Sequence, residues 1–194
     1  MEYAIPDLTQ WVTRFLLPLF RVSAFFMVVP LIGTQLVPMR VRLGFAIAVT
    51  LVIIPLLPPL PAIDGLSFAL YVLIAKQLLI GFCLGFFVQV FFQVFVLGGQ
   101  IISSQMGLGF ASISDPANGV SVVVLSQFYL MLTMMLFLSM NGHVVLIDVI
   151  VDSFRVVPIS DGGIQSLSMW RIAASGSWLF AAALLMALPA VIAV

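Results

Sequence analysis

The residues able to do chemistry in this chain are few and fall mainly in two places. Residues 98–121, GGQIISSQMGLGFASISDPANGVS, are rich in Gly, Ser and Gln, with Asp115 as their one charge. Residues 141–155 hold Asn141, His143, Asp148, Asp152 and Arg155. A glycine-rich stretch cradles phosphate when it reads GxxxxGK[ST], and that pattern is absent. Ser121 and His143 are the types an intramembrane serine protease would pair, but Ser121 sits in NGVSVVV, with no nucleophile-elbow GxSxG around it. One His and two carboxylates could suggest a metal. At about 100° per residue, however, His143 points nearly opposite to Asp148 and Asp152, so they cannot converge on one helix. Cys83 is the single cysteine, lies in an apolar run, and reads as a small packing residue. No cofactor and no metal is expected, and the chain is not expected to be an enzyme.

The remaining polar groups form stripes. Gln89, Gln93 and Gln100 fall within about 40° of one another if their helix continues that far, which suits a helix or subunit contact through amides. Gln127, Asn141, Asp148, Asp152 and Arg155 share a stripe about 80° wide on a continuous helix. That stripe reads either as an ion-paired helix end or as a hydrated face lining a cavity or meeting a partner. Gly81 and Gly85 form a GxxxG, which permits close helix approach. Arg14 and Arg21, seven residues apart, share a face and need an interface, a carboxylate or helix-end carbonyls as acceptors. Met131, Met134, Met135 and Met140 read as adaptable packing.

These groups sit on very apolar elements. Of 194 residues 63% are hydrophobic and 7% charged, with a mean hydropathy of +1.30, against roughly 25% charged in soluble domains. One small globule cannot hide that surplus, so the solvent is partly lipid or apolar protein. Seven basic and seven acidic residues cancel, which excludes a basic nucleic-acid face. The N-terminus carries Glu2 and Asp7 before any Arg, so no secretory signal peptide is expected there. Five apolar segments follow: 11–37, 43–60, 66–97, 122–151 and one from about 169 that is still apolar at Val194, where the chain is expected to continue. Arg40 and Arg42 place the first connection inside, yet five simple spans would leave Arg155 and Arg171 outside. Either one run does not span, or the helices are partly covered by protein. A secondary transporter would place its site at glycine-broken helices, but no internal repeat pairs two interrupted segments.

Three stretches carry a resemblance: RVSAFFMVVPLIGTQLVPMRVRLGFAIAVTLVIIPLLPP from Arg21, GGQIISSQMGLGFASISDPANGVSVVVLSQFY from Gly98, and LFLSMNGHVVLIDVIVDSF from Leu136. Together they resemble the R-subunit family of the flagellar type III export gate, to which injectisome export subunits are related. The resemblance implies an all-α fold of hydrophobic helical hairpins with a central Gly-rich plug loop. It implies a P-subunit-like part over 1–168 and, over 169–194, the start of a Q-like hairpin whose remainder this sequence lacks. It implies one R copy assembling with P and Q subunits and other export-apparatus membrane proteins. The complex would sit in the inner membrane at the flagellar basal body, projecting to the periplasmic side. Its cargo would be unfolded flagellar proteins, with energy supplied by a separate ATPase and the proton-motive force.

The family's plug loop matches residues 98–121, and the residue types suit a seal. Gly107, Gly109 and Gly119 permit the backbone to fold into a narrow channel. Met106, Phe110 and Ile113 can close it by dewetting. Asp115-Pro116 favours a turn that ends the loop before the next helix.

Overall fold

The computed structural model describes residues 5–34, 37–57, 68–106, 112–114, 121–159, 181–185, 188 and 192. Helices dominate: α1 (Ile5–Val28), α2 (Met39–Ile53), α3 (Phe68–Gln105), α4 (Val124–Ser139) and α5 (Gly142–Val156). A 3-10 turn, Ile54–Leu56, follows α2 where the prolines begin. Pro55 is tolerated at the start of that turn because its missing N–H would be unsatisfied there anyway. The all-helical expectation holds for the body of the molecule. One element was not foreseen: β1 (Ser112–Ser114) pairs antiparallel with β2 (Ser121–Val123), Ile113 opposite Val122, as a small ribbon between α3 and α4.

The core gathers around α1. Leu17, Val22, Phe25, Phe26 and Val29 are fully or almost fully buried, and they pack with Ala46 and Ile53 of α2, Leu73 of α3, and Leu146, Ile150 and Phe154 of α5. α3 lies along α1 because Gly81 and Gly85 present no side chain to it. A Cβ on Gly81 would strike the Arg21 carbonyl oxygen, and one on Gly85 would come within 2.8 Å of the Val28 Cβ and 2.9 Å of the Phe25 carbonyl. The GxxxG therefore marks a real contact, and the two glycines set how closely the helices approach.

α3 has 38 residues, roughly 57 Å at 1.5 Å each, almost twice a bilayer's hydrocarbon thickness. Two helical segments, Met39–Leu56 and Leu70–Gln105, are long and apolar enough to cross a membrane. Their outward faces carry Val52, Leu56, Phe82 and Phe91, all well exposed on this chain alone. Such a surface is stable only against lipid or other protein. The fourth apolar run is not one helix. It breaks between Ser139 and Gly142, and α5 departs from α4 at 75°.

That break has a local cause. Asn141 adopts the left-handed conformation, φ 57°, the one non-glycine to do so among the described residues. Asn tolerates it better than most residues. Gly142 follows because any side chain there would run into the Phe137 ring. The Asn141–Gly142 pair thus turns the chain and starts α5, whose first free carbonyl, that of Asn141, accepts from the Val144 amide at 2.9 Å.

Candidate functional site

The stretch 98–121 is part helix. α3 continues through Gly98, Gln100 and Ser103 to Gln105, and the Met106 amide still reaches the Ile102 carbonyl at 3.1 Å. Met106 itself is exposed at the helix end. Gly107, Gly109, Phe110, Asp115 and Pro116 lie outside the described residues, as does Gly119. Ile113 is described in its backbone, within β1. The base of the stretch is tightly made. Gly99 sits against α4, where a Cβ would stand 2.8 Å from the Ser126 Cα and 3.0 Å from the Tyr129 ring. Ser103 and Ser126 are fully buried, and among the described residues neither hydroxyl has a hydrogen-bond partner. The end of α3 and the start of α4 therefore meet backbone to backbone.

α3 does reach Gln100, so Gln89, Gln93 and Gln100 stand on one helix. Gln89 and Gln93 are half-buried and open into a notch of about 170 Å³ that is also walled by Val28, Thr34, Phe92 and Leu130. Gln100 lies further along α3 and is exposed. Amides in a largely apolar wall have hydrogen-bonding capacity left for water or a neighbouring helix.

The second stripe does not survive folding. A 75° bend at Asn141 puts Gln127, half-buried on α4, on a different axis from Asp148, Asp152 and Arg155 on α5. The continuous-helix geometry that aligned them is absent, and Asn141 serves as the corner. On α5, Asp152 and Arg155 form an exposed ion pair at 3.2 Å, Asp148 is exposed one turn before it, and His143 is exposed at the start of the helix. No group of three or more metal-ligating side chains occurs among the described residues.

The most elaborate polar centre is one the stripes did not reveal. Arg14 is exposed, but Arg21 is fully buried. Its Nε donates to Gln77 Oε1 at 2.8 Å. Nη1 donates to the Ser153 carbonyl at 2.9 Å and its hydroxyl at 3.3 Å, and Nη2 donates to the Val157 carbonyl at 2.9 Å. The Phe154 ring lies beneath the guanidinium, 4.2 Å from its carbon. Among the described residues no carboxylate pairs with it. The negative end of the α5 dipole and its last carbonyls supply the compensation instead. Helix-end carbonyls were one of the acceptors the sequence allowed, but Gln77 was missed. The available signal was spacing: Gln77, Gly81 and Gly85 recur every four residues, so the glycines that face α1 put Gln77 on that same face.

The described residues define a protein of long apolar helices, two of them long and apolar enough to cross a membrane. Residues 12–194 match the model of the family described as bacterial export proteins, family 1. The chain belongs to that family. It is similar to the flagellar biosynthetic protein FliR of Escherichia coli (strain K12), with 38% identity over 180 residues, covering 93% of this chain and 69% of that one. FliR of Pectobacterium carotovorum subsp. carotovorum is 34% identical over 187 residues, 94% of this chain and 70% of its own length. FliR of Bacillus subtilis (strain 168) is 32% identical over 146 residues, 75% of this chain and 56% of its own.

Proposed function

We propose that the chain is a component of the flagellar export apparatus in the bacterial inner membrane, acting as the single-copy R subunit of the type III protein export gate. In this reading it joins P-type and Q-type subunits to form a closed channel for unfolded flagellar proteins, part of which projects to the periplasmic side. The segment 98–121 supplies the seal. The observation that carries the reading is the family match over residues 12–194, together with relatives named for flagellar biosynthesis.

The physical chemistry supports each part. A protein whose helices expose Phe82, Phe91, Phe128 and Met135 needs covering by lipid or neighbouring subunits. α3 is long enough to carry its far end well beyond one face of a bilayer, and the glycine-rich segment leaves from that end. There Gly99 fixes α3 closely on Ser126 of α4. A seal of Met106, Phe110 and Ile113 excludes ions by withholding water and carries no charge that would bind them. No residue is assigned to hydrolysis, and energy is supplied from outside this subunit.

Removing residues 107–112 from the full-length chain, in the assembled complex, tests the seal. The expected outcome is an ion leak across the membrane, read as conductance or loss of membrane potential, with the complex still recovered intact. Unchanged conductance in an intact complex would overturn the sealing role.

A further inference from the structure

α5 is fastened to the described chain in an unusual way. At its start it turns 75° from α4 about Asn141, which holds φ 57°. Along its length one row of side chains, Leu146, Ile150 and Phe154, enters the core. The opposite face, with Asp148, Asp152 and Arg155, is exposed. At its end Arg21 of α1 reaches across 132 positions of sequence to the Ser153 carbonyl and hydroxyl, and across 136 to the Val157 carbonyl.

We propose that α5 is an arm that opens as a unit about Asn141, and that Arg21 is the latch holding it folded back. A helix that leaves α4 at one sharp corner and is seated through one row of apolar side chains, with Ile159 just past its end also in the core, can separate from its support without disturbing the α1–α3 contact. What opposes that separation is concentrated in one group. The guanidinium is buried beside Gln77, and with α5 displaced Gln77 would be its one remaining acceptor among the described residues. Opening therefore strands a buried cation, which is costly in a way that the loss of three apolar contacts spread along a helix is not. Closing satisfies that cation and the last carbonyls of α5 together. Gln77 acts through Arg21: it fixes the plane of the guanidinium so that the two Nη groups face Ser153 and Val157. The inference is argued from contacts within this chain.

Hydrogen exchange read by mass spectrometry on the full-length chain in lipid nanodiscs tests it. In the unaltered protein residues 142–156 should exchange as one cooperative block, faster than residues 77–102 of α3. R21K keeps the charge but loses the fork. It should speed exchange of that block about tenfold or more, since charge-assisted bonds are among the stronger ones, and leave α3 unchanged. Q77L should speed the same block, although residue 77 hydrogen-bonds Arg21 and not α5. Protection of 142–156 equal to that of α3 in the unaltered protein overturns the arm. Exchange of the block unchanged in either variant overturns the latch. Should R21K fail to fold, the unaltered protein and Q77L still decide both points.

Discussion

Arg21 and the pair Asp152–Arg155 show how differently charges behave in one chain. Arg21 is buried with acceptors from α3 and α5, whereas the other pair lies in the open, its side chains 63–69% exposed. An exposed ion pair at i, i+3 contributes at most a few tenths of a kcal/mol. The double variant D148K/D152K should therefore leave the subunit's thermal stability in detergent within about 0.5 kcal/mol of the unaltered chain. A larger loss would mean that the α5 carboxylates hold the fold. The sequence offered two readings of these residues. The Asp152–Arg155 contact is the ion pairing that the first reading expects, and any docking role for this polar face lies with a partner rather than with the chain's own stability.

Among the elements, the α1–α3 pair sets the geometry on which the others depend. Gly81 and Gly85 let α3 lie against Arg21, Phe25 and Val28, and that proximity carries Gln77 to the guanidinium. Gly81→Leu should separate the helices at Arg21 and break the Gln77 contact together with the close packing. A loss of about 3 kcal/mol, at the upper end of overpacking costs, is the expected result in a thermal or denaturant titration; Gly44→Leu, with open space around it, should cost far less. Equal effects at the two positions would show that close approach at Gly81 is not what the glycine provides. GxxxG is frequent in apolar helices, so its spacing alone was weak support. The obstruction of a Cβ by the Arg21 carbonyl supplied the reason for it.

For the molecule as a whole, the apolar exterior makes assembly part of the structure. The exposed aromatic and aliphatic side chains of α2, α3 and α4 and the half-buried Gln89 and Gln93 of the notch call for neighbours. Co-expression of the full-length chain with P-type and Q-type subunits should recover one complex by affinity purification through any of the three. A chain that instead purifies alone and moves a solute in proteoliposomes would return the reading to a transporter.

Composition by itself determined that lipid or apolar protein is this chain's solvent, because the imbalance of apolar surface holds whatever the fold. Local pattern determined that it is helical, where the apolar runs lie, and which residues carry the family resemblance. Tertiary structure alone decided that the fourth run breaks at Asn141. Hydrophobic periodicity continues on both sides of a left-handed residue and so does not register it, and the polar stripe drawn through that point was lost with the helix. It also decided which arginine is buried, since Arg14 and Arg21 share a face on α1 but different neighbours reach them. The bonds that hold Arg21 span 56 and 132 positions of sequence. Separations of that size are set by how helices pack: the spacing of Gln77, Gly81 and Gly85 puts Gln77 on the face toward α1, but only the packing decides which residue it meets there.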